Sequence, residues 1–237
     1  MTRPDGASAP WRVAVLIHGG FWRARYDLRL ADRLVADLAA RGWAVWNLEY
    51  RRLGWRSRGG WPHTLEDVAA GIDQLDRLDE PLDTGRVVAV GHSAGGQLAL
   101  WAAARPGLPA EAPGAAPKIR LAAAVAQAGI ADLREVARLR LSGGAGARFV
   151  GGPPGKVPER YALASPIERL PLGVPQLLVH GDADDVVPVE IARRYALRAA
   201  EAGDQCTLVE LPRVGHMEHL DPESEAWRTA VTWLEGR

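Results

Sequence analysis

Residues 86–105 read Arg86-Val-Val-Ala-Val-Gly-His-Ser-Ala-Gly-Gly-Gln-Leu-Ala-Leu-Trp-Ala-Ala-Ala-Arg105. The run up to Val90 is short, continuous and β-branched, the pattern of a strand buried on both faces of a parallel sheet. The run from Ala94 is rich in alanine and leucine and long enough for a helix. Between them Gly91-His-Ser-Ala-Gly95 has the Gly-x-Ser-x-Gly spacing of a nucleophile elbow, and a strand before with a helix after is the context that such a turn requires. A serine hydroxyl is a weak nucleophile until it is presented beside a base, and flanking glycines let neighbouring chain pass without side-chain collision. Ser93 also suits a helix N-cap; its placement between strand and helix favours the nucleophile.

Upstream, Val13-Ala-Val-Leu-Ile17 is a second buried-strand pattern and ends in His18-Gly-Gly-Phe21. A glycine loop there suits backbone N–H groups that face a developing oxyanion, with Gly20, Phe21 and Ala94 as the donors and His18 as a structural residue. Ala31, Leu34, Val35, Leu38 and Ala39 then recur at helical spacing, with Gly42 placed as a left-handed cap. Trp43 to Leu48 predicts a strand, and Leu65, Val68, Ala69, Ile72 and Leu75 predict a helix with Thr64 as its N-cap.

Downstream, strands are expected at residues 121–126, 176–179 and 207–211, and helices at 189–202 and 223–234. Residues 129–174 carry Gly143-Gly144, Gly151-Gly-Pro-Pro154 and Ser165-Pro166 without a clean strand pattern. They read as a helical and loop insertion over the sheet edge, a lid. Regular alternation of strand and helix predicts an α/β protein: a doubly wound, mostly parallel sheet with helices on both faces, in one domain over residues 1–237, with its site at the carboxyl ends of the strands.

An acid and a base should follow the serine in the order Ser, Asp or Glu, His. His180-Gly-Asp-Ala-Asp-Asp-Val-Val-Pro188 offers three carboxylates in Asp182, Asp184 and Asp185, and Gly215-His-Met-Glu-His219 offers two imidazoles. Residue type alone leaves those choices open.

Composition removes several classes of function. The chain has 237 residues, 47% hydrophobic and 24% charged, so it can bury a large core. Its 29 basic and 29 acidic residues cancel to a net charge of 0, which argues against nucleic-acid and membrane partners. One cysteine and a polar start without a secretion-signal pattern point to the cytoplasm, and no apolar run approaches the ~20 residues of a membrane span. His216, His219 and Asp221 lack the spacing of a metal site, and no phosphate-binding glycine motif is present, so neither metal nor other cofactor is expected.

At the residues quoted, the chain resembles the α/β-hydrolase family from Val13 to Trp233. His18-Gly-Gly-Phe-Trp22 together with Gly91-His-Ser-Ala-Gly-Gly96 is similar to the branch holding kynurenine formamidase (arylformamidase) and small carboxylesterases. Relatives of the hormone-sensitive-lipase type have a third glycine where Phe21 stands. The resemblance implies that the acid closes a His-Gly-x-x-Asp run and the base follows a glycine, which selects Asp184 and His216, with Asp185 the nearest rival. It implies a serine hydrolase that splits esters of small substrates with short acyl groups, arylformamidase being the second choice and a non-catalytic small-molecule binder the rival of another class. A small ester or amide is then the expected partner, and a homo-oligomer is compatible with it. Of nine tryptophans, Trp22, Trp55 and Trp61 follow the first two strands and are expected to wall the substrate pocket, whereas Trp43, Trp46, Trp101, Trp227 and Trp233 are expected in the core. Arg23 and Arg51 are candidates for a substrate carboxylate.

Overall fold

A computed structural model describes residues 1–54 and 58–237. Six strands, β1 Trp11–Ile17, β2 Ala44–Leu48, β3 Leu82–His92, β4 Ala123–Gln127, β5 Gln176–Gly181 and β6 Cys206–Leu211, form one sheet in the order β2-β1-β3-β4-β5-β6. Every neighbouring pair is parallel. The continuous apolar runs are explained by burial on both faces: Val13, Val15 and Ile17 of β1 enter one core cluster, and Ala14 and Leu16 enter the other. On the second face lie α1 (Asp32–Ala40) and α8 (Glu225–Glu235), which bury Leu34, Leu38, Trp227 and Val231. The first face holds α2 (His63–Asp73), α3 (Ala94–Ala104) and α7 (Glu190–Glu201). α3 is buried along its whole length, which is why its sequence is apolar all round rather than amphipathic.

The strand order reverses beside β1, with β2 on one side and β3 on the other, and such switch points open a crevice at the carboxyl ends of the strands. The loop after β1 and the turn after β3 meet there.

Gly42 is left-handed at φ +84, and the amides of Gly42 and Trp43 donate to the carbonyls of Ala39 and Leu38, closing α1 as expected. Thr64 is not the N-cap of α2. The helix starts one residue earlier, at His63, and the Thr64 hydroxyl instead accepts from the Gly60 amide (2.8 Å) and donates to the Arg51 carbonyl (2.5 Å). It fastens the preceding loop rather than the helix end.

Residues 129–174 contain no strand and fold into α4 (Leu133–Arg138), α5 (Leu141–Val150) and α6 (Pro158–Ala164). Arg140, Ser142, Gly143 and Gly144 take left-handed dihedrals, so the start of α5 is a bend whose two glycines carry little steric cost. This segment is rooted in the core: Phe149, Val150 and Tyr161 are buried in the same cluster as Trp22 and Trp101.

Candidate active site

Ser93 occupies the turn between β3 and α3 at φ 56, ψ −118, a conformation that costs a non-glycine residue on the order of 1–3 kcal/mol and persists where surrounding structure enforces it. The glycines show how it is enforced. A Cβ on Gly91 would lie 2.0 Å from the Gly95 carbonyl oxygen, and one on Gly95 would lie 1.9 Å from that of Ile17. Strand, turn and helix therefore approach closer than any side chain allows. Ser93 stands at the N-cap position of α3, yet its side chain makes no capping bond, and its Oγ is buried without a hydrogen-bond partner among the described residues. A free hydroxyl on a strained turn is available for chemistry; in unliganded enzymes the bond from nucleophile to base is often loose.

The β6–α8 connection brings His216 to the same cavity that Ser93 lines. His216 Nδ1 donates to Asp184 Oδ2 at 2.7 Å, which leaves Nε2 as the nitrogen able to take a proton. Asp184 lies in the β5–α7 loop, and its Oδ1 accepts from the amides of Val186 and Val187 at 2.9 and 2.8 Å. His180 Nε2 reaches both Asp184 Oδ2 (3.2 Å) and the Val187 carbonyl (2.8 Å), so it braces the loop. Burial pushes the Asp184 carboxyl up, but the hydrogen bonds from His180, His216 and the Val187 amide outweigh it and hold the group far below the usual carboxylate range. It stays ionised and pinned. Asp185 points elsewhere, exposed at the cavity, and Asp182 accepts from the Arg213 amide at 2.6 Å.

In the loop after β1, Gly20, Phe21 and Trp22 all have positive φ (105, 49 and 56), and the Arg23 amide donates back to the Gly20 carbonyl at 3.0 Å. Only glycine fits position 20, where a Cβ would meet the Tyr26 ring at 2.4 Å. A Cβ on the neighbouring Gly19 would lie 3.1 Å from that of Ser93, so this loop lies directly against the elbow. The amides of Gly20, Phe21 and Ala94 make no hydrogen bond to another described residue. His18 is clamped between the Gly19 carbonyl (2.8 Å) and Glu49 (3.0 Å) and stacks on Tyr50 at 4.3 Å, in keeping with a structural role.

The cavity has a volume of about 440 Å³ and brings together Phe21, Ser93 and His216 with Arg25, Tyr26 and Ser142. Trp22 does not reach it. Its ring is fully buried, stacked on Phe149 at 4.3 Å, with Nε1 donating to Gln97 Oε1 at 3.1 Å. The left-handed turn that brings Phe21 to the cavity wall leaves the next residue in the core. Trp61 is absent from the lining as well; it packs against the core, and its amide donates to the Phe149 carbonyl. Trp55 lies outside the described residues. Arg51 pairs with Asp67 at 2.8 Å. The wall residues Tyr26, Ser142 and Met217 carry no local sequence signal, because they reach the site through loop conformation; Met217 is only marked by its place next to His216.

Behind His216 lies a packed imidazole cluster. His92 Nε2 donates to the His216 carbonyl at 2.9 Å, and the two rings are 4.6 Å apart. Gln127 Nε2 donates to the His219 carbonyl at 3.2 Å. The His216 loop is thus tied to the ends of β3 and β4, contacts that spacing alone does not announce. Burial, with the neighbouring His180 and His216 adding to it, lowers the His219 imidazole from 6.5 to about 3, and burial chiefly drives His92 well below its ordinary value. Below about pH 6.5 the unfolded chain binds protons that these folded imidazoles refuse, so their contribution is complete above that pH and is lost as pH falls toward about 3. Asp184 adds a second loss that starts only near pH 4. The melting temperature is therefore expected to decline already between about pH 7 and pH 5, and His219→Phe should flatten part of that decline; a profile level down to pH 4.5 in the unmodified protein would contradict it.

Among the described residues no helix is long and apolar enough to cross a membrane. Residues 1–197 match the family model described as BD-FAE. The chain is 30% identical over 226 residues to esterase LipC of Mycobacterium tuberculosis, covering 90% of this chain and 55% of that protein. It spans about half the length of the curated relatives it matches. Among solved structures, a truncated carbohydrate esterase from gut microbiota superposes with a TM-score of 0.85 at 21% identity, over 99% of this chain and 88% of the other. An esterase of the planctomycete Thermogutta terrifontis gives 0.77 at 22% identity, over 99% and 84%. These likenesses show the α/β-hydrolase fold.

Proposed function

The chain belongs to the BD-FAE family, and from that premise we propose that it is a serine hydrolase cleaving carboxylic esters of small substrates with short acyl groups. The observation that carries this reading is the 2.7 Å bond from His216 Nδ1 to a buried, ionised Asp184, at a cavity whose lining includes both His216 and a Ser93 with no hydrogen-bond partner among the described residues. Ser93 Oγ attacks the ester carbonyl carbon and its proton passes to His216 Nε2. The carbonyl oxygen takes the negative charge and is held by the amides of Gly20, Phe21 and Ala94. Collapse expels the alcohol, which leaves with the proton from His216, and the acyl group remains on Ser93. Water then attacks the acyl-enzyme, giving its proton to His216, and release of the acid restores the serine. Asp184 keeps the imidazole in the Nδ1–H tautomer and stabilises its cation. The esterase LipC relationship supports the same class.

The acyl limit rests on Phe21 alone, since Trp22 is in the core. Its ring lines the cavity directly after the oxyanion loop and shortens the space behind the scissile carbonyl. Each methylene that finds no room forfeits ~1 kcal/mol of transition-state binding. Specificity constants for p-nitrophenyl esters are expected to peak at acetate or propionate and fall steeply by octanoate, and Phe21→Gly should flatten the fall. A maximum at octanoate would remove Phe21 as the acyl wall, and no hydrolysis of any ester would remove the reading itself. Formyl is the smallest acyl group that this wall admits, so an N-formyl anilide belongs in the same series.

A further inference from the structure

Arg23, Arg25 and Arg148 line a groove of about 370 Å³ together with Ala24, Leu53 and Gly54. Arg25 also lines the Ser93 cavity, so the two spaces share a wall. The arginines come from separate segments: two from the loop after β1, one from α5 of the insertion. Arg23 and Arg148 both donate through Nη2 to the same acceptor, the carbonyl of Ser142, the latter at 3.4 Å, and Ser142 itself lines the Ser93 cavity. Two guanidinium groups that converge on one neutral oxygen repel each other. The Arg25 guanidinium lies 4.5 Å over the Tyr26 ring, which holds it in place.

None of the three has a carboxylate within ion-pair distance among the described residues, whereas Arg51 and Arg52 nearby are paired with Asp67 and Glu49. Residues 55–57 are Trp, Arg and Ser and can supply no carboxylate. The free positive charge is therefore concentrated in the groove that meets the cavity at Arg25, while Asp185, which has no ion pair among the described residues, sits elsewhere on the cavity lining. An anionic group would be turned away from Asp185 and drawn to the arginines, where planar guanidinium groups suit carboxylate geometry.

We propose that Arg23, Arg25 and Arg148 form an anion subsite for the leaving group, so that the preferred substrates are esters whose alcohol portion carries a carboxylate. This rests on the serine-hydrolase reading. The test compares 4-acetoxybenzoate with its neutral isostere 4-acetoxybenzamide, each specificity constant divided by the ester's rate of hydrolysis by hydroxide. The carboxylate is expected to be favoured by ~10-fold at about 20 mM salt, mainly through KM, with the preference fading at about 0.5 M as the charges are screened. Arg148→Glu and Arg25→Gln, both at exposed positions, should each bring the ratio close to one, with melting temperature as the check on folding. A ratio of one or less in the unmodified protein, or a preference that neither variant alters, overturns the subsite. If neither ester nor phenyl acetate is hydrolysed, the hydrolase reading fails. The subsite is then judged by calorimetry: tighter, salt-sensitive binding of 4-hydroxybenzoate than of 4-hydroxybenzamide supports it, and equal binding overturns it.

Discussion

Replacing Ser93 with alanine is expected to lower turnover of an aryl acetate by ~10⁴-fold or more, because nucleophile, base and orienting acid act as a unit and little is left when one is removed. The same substitution should leave the melting temperature nearly unchanged. Ser93 Oγ holds no hydrogen bond among the described residues, so its removal strands no buried partner there. Alanine also keeps a Cβ, so the cost of the left-handed turn stays. A fluorophosphonate should add once, on the peptide containing Ser93, and the alanine variant should not be labelled. An adduct elsewhere with hydrolysis unaffected would transfer the chemistry to another residue.

Asp184→Asn should reduce turnover by ~10³–10⁴-fold, while Asp185→Asn costs less than about tenfold. The two residues are neighbours, but their surroundings differ. Asp184 receives His216 on one oxygen and two backbone amides on the other. An amide side chain there must turn its NH₂ toward a donor on one side or the other, which either breaks the loop or imposes the wrong tautomer on the imidazole. Asp185 is exposed and holds none of these contacts. Measured kcat for the two asparagine variants decides the matter, and a greater loss at 185 would mean that the pinned carboxylate is not the one that serves His216.

The alternation of elements was legible in the sequence because residues 13–17 of β1 and 87–90 of β3 are buried on both faces and are apolar at every position. The glycines at 91 and 95 announced the elbow for an equally direct reason: no side chain fits between strand and helix there. Residue type stopped short elsewhere. Three carboxylates follow β5, and family register rather than periodicity pointed to Asp184. Trp22 was misread as a pocket wall because its direction depends on three successive positive φ values, a feature that residue types at those positions do not encode. Thr64 was misread because a hydroxyl can serve a helix end or a loop equally well, and only the position of the Arg51 carbonyl decides. His92 could be placed on the elbow, but its bond to the His216 carbonyl crosses more than a hundred residues of chain.

The stack of Trp22 on Phe149 has a consequence for how such a protein can diversify. One ring follows directly on Phe21 and the other belongs to α5, so the loop after β1 and the segment that brings Leu141 and Ser142 to the cavity share a single keystone. A replacement segment without an aromatic side chain at the place of Phe149 would leave a gap of aromatic size against Trp22, beneath the loop after β1. Exchange of this segment as a free-standing cassette is for that reason expected to disturb the loop that carries Phe21 as well as the cavity wall at Ser142.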